Sequence, residues 1–163
     1  MRLIVAVDEN WGIGYKGTLL AHLPGDLKYF KEKTTGKVVI MGQNTLISFP
    51  KSKPLPNRTN IVLSNDPSFV VEGAIMARSL DEVRELVKKY NTDDVFVIGG
   101  ASVYRQLLDD CDTAYITKVH KKFEADVFFP NLDEKENWTL SNVGESGEDN
   151  EITYTFTTYT KTR

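Results

Sequence analysis

Asp26 is the residue of this sequence best placed to do chemistry. It follows a Pro-Gly pair and opens a helical pattern in which Asp26 and Phe30 stand one turn apart on the same face. A carboxylate on the apolar side of a helix is costly to bury unless it has a partner. Two interpretations are therefore open: Asp26 caps the first helical turn, or it binds a cationic or hydrogen-bond-donating ligand.

Two glycine motifs and one arginine are further candidates for a binding site. Gly99 and Gly100 follow a strand where a helix begins, a position that favours phosphate binding but also suits a plain tight turn. Arg58 ends a Pro-rich loop, where it either clamps a carboxylate or is simply solvated. Residues 12–17 match G-x-G-x-x-G, but four residues separate them from the preceding strand and no amphipathic helix follows. We interpret this segment as a glycine-hinged loop that closes over an active site.

Composition narrows the class of protein. A chain of 163 residues with 40% apolar and 26% charged residues predicts one globular domain, residues 1–163. The net charge of −3 and the lack of a basic run argue against nucleic-acid binding. His22 and His120 have no metal-ligand spacing, so we expect no metal site.

The expected location is the cytoplasm. The single Cys111 fits a reducing compartment and is expected to be a buried structural thiol. No signal-peptide pattern precedes Asp8, and no apolar run is long enough to cross a membrane.

The elements that would position these residues alternate between strand and helix. Apolar runs predict strands at residues 3–7, 38–42, 59–64, 74–77, 95–98 and 114–119. Helical patterns cover about 26–33, 43–49, a segment after the Ser79-to-Glu82 capping box, and a segment from Gly100. Residues 152–159 alternate, as in antiparallel strands with one wet face. The pattern predicts an α/β fold whose parallel sheet is covered on both faces.

The order and spacing of these motifs resemble dihydrofolate reductase of the bacterial chromosomal type. The motifs are Asp26 with Phe30, Val-Ile-Met-Gly-x-x-Thr at 39–45, Pro-Leu-Pro-x-Arg at 54–58, Ile-Gly-Gly at 98–100 and Ala-Asp-Val-Phe-Phe-Pro at 125–130. The resemblance runs from Leu3 to the alternating tail. It implies a mixed, mostly parallel eight-stranded sheet with about four flanking helices and antiparallel C-terminal strands.

The resemblance also implies an activity, the NADPH-dependent reduction of 7,8-dihydrofolate to 5,6,7,8-tetrahydrofolate for one-carbon metabolism. A hydride passes to pterin C6 and N5 gains a proton. Asp26 matches the active-site acid, which accepts paired hydrogen bonds from pterin N3 and the 2-amino group, and Thr117 matches the hydroxyl that supports it. A water is expected to deliver the proton. Antifolate inhibitors would bind the same acid, and the family default is a monomer.

The remaining expected site residues line two pockets. Arg58 matches the residue that binds the glutamate carboxylate of folate. The residues expected around the pterin and benzoyl rings are Val5, Ala6, Leu27, Phe30, Phe49, Leu55 and Ile98. The residues expected to contact NADPH, across the mobile loop and the adenosine and pyrophosphate sides, are Val7, Ile13, Gly14, Gly17, Thr18, Leu19, Gly42, Gln43, Asn44, Thr45, Leu63, Ser64, Asn65, Arg78, Gly99, Gly100, Ala101, Ser102, Val103 and Tyr104. The resemblance further implies a cis peptide between Gly99 and Gly100.

Two positions depart from the family pattern. Leu20-Ala21 replaces the usual Pro-Trp, whose indole packs on the loop and helps to order a water near the pterin. Gln43 replaces a common arginine that contacts the 2′-phosphate of NADPH, and losing one charge-assisted contact costs about 1.5–3 kcal/mol. The residues expected to compensate are Ser64, Asn65 and Arg78. NADPH therefore stays the expected cofactor, with weaker discrimination against NADH.

Two alternative functions stay open at this point. One is another pteridine or pyrimidine reductase, such as the reductase domain of riboflavin biosynthesis, although Arg58 then lacks a substrate carboxylate to bind. The other is a catalytically weak folate- or nucleotide-binding relative, which the departures at Ala21 and Gln43 favour.

Overall fold

A computed structural model describes residues 1–16, 18–19 and 23–162, with only the backbone described at residues 18–19. The strands in this part of the chain are β1 (Arg2–Val7), β2 (Gly12–Tyr15), β3 (Thr18–Leu19), β4 (Val38–Gly42), β5 (Thr59–Leu63), β6 (Ala74–Ala77), β7 (Val95–Gly99), β8 (Thr113–Val119), β9 (Val127–Phe128), β10 (Trp138–Asp149) and β11 (Ile152–Lys161). The α-helices are α1 (Pro24–Thr34), α2 (Gln43–Ser48), α3 (Leu80–Val87) and α4 (Ala101–Leu107). Short 3-10 turns cover Pro50–Ser52, Thr92–Asp94, Leu108–Asp110 and Leu132–Glu134.

The main sheet has eight strands in the order β10-β11-β8-β1-β7-β4-β5-β6. From β8 to β6 every neighbouring pair is parallel, whereas β11 pairs antiparallel with both β8 and β10. The parallel strands are short apolar runs buried on both faces, and the alternating C-terminal strands present one wetter face. The expected mixed, mostly parallel sheet with four helices is therefore confirmed.

A second, three-stranded sheet in the order β3-β2-β9 corrects the prediction that residues 12–17 form a loop, since residues 12–15 are strand β2. The physical cause is Asp8, which is 4% exposed. Its carboxylate accepts hydrogen bonds from the Gly12 amide at 2.8 Å and the Phe123 amide at 3.0 Å. The acid thus links the start of β2 and the segment before β9 to the end of β1, a long-range contact that local sequence patterns do not reveal.

Helix ends follow the local sequence. Pro24 occupies the first turn of α1, where its missing N–H is no loss. Ser79 caps α3 by accepting the Glu82 amide at 3.1 Å, as the capping box predicts.

The core lies on both faces of the main sheet. One face, with Leu3 and Val97, packs under Val83 of α3 and Leu107 of α4, and Cys111 lies there at 1% exposure. Burial raises the pKa of the Cys111 thiol to about 12, as the expected structural role requires. None of the helices in the described part of the chain is long and apolar enough to cross a membrane.

Candidate functional site

Asp26 lies in the first turn of α1 and faces the sheet. Its Oδ1 accepts a hydrogen bond of 2.7 Å from Oγ1 of Thr117, which is 1% exposed on β8. Burial raises the pKa of the Asp26 carboxyl above its ordinary value; the Thr117 hydrogen bond lowers the pKa, and the nearby charge of Asp149 raises it. The carboxyl is therefore harder to ionise than an exposed aspartate and is held by a buried donor from a different element.

The capping role is filled by another residue. The N-cap of α1 is Leu23, which offers no capping side chain, and the Gly25 amide donates to Oδ2 of Asp149 at 2.8 Å. Because a distant acid satisfies this amide, Asp26 is left to face Thr117 and the space between α1 and the sheet. The geometry favours the ligand-binding interpretation of Asp26.

The apolar wall beside Asp26 comes from several elements. Ala6 is the register partner of Thr117 on the neighbouring strand. The expected pocket residues that pack with one apolar cluster on this face are Ile98, Phe30, Phe49 and Leu55. Leu27 is 42% exposed, so its side chain is free to cover a ligand. Val5 instead packs with the core on the other face, so only its backbone can serve this pocket.

The side chain of Arg58 is held against the C-terminal end of α1, the helix that carries Asp26. Its Nε donates to Thr34 Oγ1 at 2.8 Å, one Nη donates to the Pro56 carbonyl at 2.7 Å, and the guanidinium lies 5.9 Å from the Phe30 ring centre. Partial burial lowers the pKa of Arg58, which nevertheless stays charged. Asp26 and Arg58 therefore bracket Phe30, with a hydrogen-bond acceptor at one end and a fixed cation at the other.

Asn60 supports this end of the site, and the sequence analysis missed it. It is 2% exposed on β5, and its amide exchanges two hydrogen bonds of 3.0 Å with the backbone of Leu55. The sign available in the sequence was a polar residue inside an apolar strand.

A second candidate site lies at the carboxyl ends of neighbouring parallel strands. Gly42 ends β4 and Gly99 ends β7, and these two strands are neighbours in the sheet. The Gly99–Gly100 peptide is cis, as expected, and Gly99 has φ +123°, which favours glycine. A Cβ on Gly42 would lie 3.1 Å from Val103, and one on Gly100 would lie 3.5 Å from Thr45 Oγ1. The N-terminal ends of α2 and α4 therefore approach each other closely, because the glycines between them carry no side chains. Backbone amides at such a position can bind a phosphate group.

On the adenosine side of this site, two of the expected residues form hydrogen bonds within the protein. Ser64 Oγ donates to Gln43 Oε1 at 2.6 Å, and an Arg78 Nη donates to the Asp66 carbonyl at 2.6 Å. Asn44 and Asn65 are exposed, while Leu63 packs against the core. Among the three residues expected to compensate for the missing arginine at position 43, which are Ser64, Asn65 and Arg78, only Arg78 carries a positive charge.

The other residues expected to contact the cofactor differ in how far their side chains are exposed. Tyr104 is buried and its hydroxyl donates to the Ile4 carbonyl at 2.7 Å, while burial raises its pKa. Val103 is also buried, whereas Ser102 is exposed and Ala101 is half-buried. Val7 ends β1, and Ile13 and Gly14 lie in β2. Gly17, Leu20, Ala21 and His22, and the side chains of Thr18 and Leu19, lie outside the described residues.

Comparison with known proteins decides the family. The model of the family described as dihydrofolate reductase matches residues 1–161. The chain belongs to the dihydrofolate reductase family. A dihydrofolate reductase of Bacillus subtilis is 41% identical over 160 residues, covering 97% of this chain and 92% of the relative. A dihydrofolate reductase of Staphylococcus aureus is 38% identical over 158 residues, covering 96% and 94%.

A solved structure agrees with this family in three dimensions. It is described as dihydrofolate reductase from Enterococcus faecalis complexed with NADP(H) and RAB-propyl. Its TM-score is 0.87 at 37% identity, and the match covers 99% of this chain and 96% of that one. The expected family and fold are thereby confirmed, while the roles of individual site residues stay predictions.

Proposed function

We propose that this member of the family carries out the NADPH-dependent reduction of 7,8-dihydrofolate to 5,6,7,8-tetrahydrofolate with Asp26 as its active-site acid. The observation that carries the proposal is the Asp26–Thr117 hydrogen bond of 2.7 Å, which holds a half-buried carboxylate beside an apolar wall. When bound, NADPH supplies the hydride that passes to pterin C6.

Asp26 orients the pterin. Thr117 occupies one lone pair of Oδ1, so Oδ2 and the second lone pair of Oδ1 are available to the pterin N3–H and 2-amino group. A carboxylate whose pKa is raised by burial holds these donors strongly, because little water competes for it. This pairing favours the ring tautomer that accepts a proton at N5 and leaves N5 accessible to a water.

Arg58 binds the other end of the substrate. Thr34 and Pro56 fix the guanidinium through Nε and one Nη, which leaves the remaining N–H groups free to meet a glutamate carboxylate. The ring of Phe30 lies between the two polar ends, where the benzoyl group of folate would pack.

NADPH would bind at the carboxyl ends of β4 and β7. The backbone at Gly42, Gly99 and Gly100 would hold the pyrophosphate, and Arg78 would hold the 2′-phosphate. Inhibitors of the diaminopyrimidine type would donate to Asp26 as the pterin does. We further infer a cytoplasmic monomer, on the family resemblance and the buried Cys111.

Purified protein tests the proposal directly. It should oxidise NADPH only when dihydrofolate is present and should form tetrahydrofolate in equal amount. Tight ligand binding by calorimetry without turnover would point to the weak binding relative, and reduction of an aminouracil substrate alone would point to the riboflavin-type reductase.

A further inference from the structure

Asp149, the last residue of β10, bridges the C-terminal hairpin and the helix that carries Asp26. Its Oδ2 accepts the Gly25 amide at 2.8 Å and the Tyr154 hydroxyl at 2.7 Å. Gly25 immediately precedes Asp26, and Leu23 supplies no capping side chain. A carboxylate 124 positions away in sequence therefore satisfies the first turn of α1.

Two glycines make room for this contact. A Cβ added to Gly25 would overlap the Tyr154 hydroxyl and lie 2.9 Å from Asp149 Oδ2. A Cβ added to Gly147, the register partner of Tyr154, would lie 2.6 Å from its ring. Tyr154 itself is 3% exposed, so the hairpin and the helix meet without space for a larger residue at either glycine.

We propose that Asp149 is a positioning residue for Asp26, which it holds in place by binding the first turn of α1 together with Tyr154. The inference rests on the proposed role of Asp26 in binding the pterin. Gly25 and Asp26 are neighbours in the chain. Any movement of the Gly25 amide, which Asp149 binds, therefore changes the distance between Asp26 and Thr117.

Asp149 also acts on Asp26 through its charge. In the described part of the chain, the ionisable groups that interact electrostatically with Asp26 are Tyr29 on α1, Tyr104 on α4, and Tyr154 and Asp149 on the hairpin. Burial is the largest cause of the raised pKa of Asp26, and the Asp149 charge adds to it. Burial also raises the pKa of Tyr154 to about 12, with Asp149 as a further cause. The three tyrosines stay neutral near pH 7, so Asp149 is the negative charge to remove.

The test separates the hydrogen bond from the charge. Asp149→Asn keeps an oxygen that can accept the Gly25 amide and removes the charge, whereas Asp149→Ala removes both. Asp133→Asn is the matched control, because Asp133 accepts the Tyr159 hydroxyl at 2.6 Å in the same way but lies on another turn. The Asp26 carboxyl is followed by ¹³C NMR titration, assigned with Asp26→Asn, and KM and kcat are measured beside it.

We expect Asp149→Asn to lower the pKa of Asp26 and Asp133→Asn to leave it unchanged. Asp149→Ala should raise KM for dihydrofolate about tenfold, the loss expected for one hydrogen bond to a charged group, with a smaller change in kcat. In Asp149→Asn, KM should return most of the way to the wild-type value.

An unchanged KM for dihydrofolate in Asp149→Ala, a raised KM that Asp149→Asn does not reverse, or equal effects of the Asp149 and Asp133 variants would overturn the proposal. An unchanged Asp26 pKa in Asp149→Asn would overturn the charge effect. Failure of the proposed function is a separate result, since it shows as no turnover in the wild type or as normal turnover in Asp26→Asn, whereas the titration needs no activity.

Discussion

Replacing Thr117 with valine removes the hydroxyl that donates to Asp26 and leaves the volume of the buried side chain nearly unchanged. The lost contact is a 2.7 Å hydrogen bond to a carboxylate, from a residue that is 1% exposed and beyond the reach of replacement water. Hydrogen bonds to charged groups contribute about 1.5–3 kcal/mol, so kcat/KM for dihydrofolate should fall about 10- to 100-fold at neutral pH.

The sign of the pH effect follows from the same contact. The Thr117 hydrogen bond lowers the pKa of Asp26, so its loss raises that pKa further. The acidic limb of the kcat/KM profile, where Asp26 becomes protonated, should therefore move to higher pH. The assay is steady-state NADPH oxidation across the pH range, with thermal unfolding to confirm that the variant folds.

Thr157→Val provides the matched control. Thr157 is 4% exposed on the neighbouring strand β11, and its hydroxyl donates to the Ile116 carbonyl at 2.6 Å, away from Asp26. The two variants lose similar buried hydroxyls from one sheet. If Thr117→Val and Thr157→Val show the same pH profile and the same kcat/KM, the assigned role of Thr117 is wrong.

Three further predictions concern the acid, the arginine and the cofactor side. Asp26→Asn should stabilise the protein at pH 7 by about 1.4 kcal/mol for each unit of raised pKa, because burial disfavours the charged form. The gain in unfolding free energy should shrink as pH falls through the folded pKa and vanish below the ordinary value of 3.8. Arg58→Lys should raise KM for dihydrofolate roughly tenfold or more, because lysine cannot replace the Nε contact to Thr34 and still bind a carboxylate bidentately. Gln43→Arg should increase the kcat/KM preference for NADPH over NADH roughly tenfold.

Each of these has a contradicting result. Unfolding free energies at pH 7 are measured by urea titration for wild type and Asp26→Asn. Equal values would show that burial does not destabilise the ionised Asp26 carboxylate. A dihydropterin without the glutamate should be reduced equally well by wild type and Arg58→Lys, and a difference would place Arg58 elsewhere. An unchanged cofactor ratio in Gln43→Arg would remove position 43 from the 2′-phosphate site.

Local patterns predicted most of the sheet and helices because the parallel strands are uninterrupted apolar runs and α3 carries its own capping box. They failed for the small sheet, since β2 and β9 pair across more than a hundred residues and the buried Asp8 binds Gly12 in β2 and Phe123 in the segment before β9. Short strands with glycine carry little period-two pattern of their own.

The site showed the same division. Asp26, Arg58 and the glycine pair were recognisable from type and order in the sequence. The Asp149 contact to Gly25 was not, because a hydrogen bond between a hairpin end and a helix start depends on tertiary packing. Val5 shows the converse: its place near the pocket was expected, yet strand alternation turns its side chain to the other face.

A single-turnover measurement tests the central claim most directly. Enzyme in excess is premixed with NADPH, dihydrofolate is added, and the loss of nicotinamide absorbance is followed for wild type and Asp26→Asn. Wild type should oxidise one NADPH for each dihydrofolate, and Asp26→Asn should lose most of the rate at neutral pH while remaining folded. Equal rates in the two proteins would contradict the role of Asp26, and no absorbance loss in wild type would contradict the activity itself.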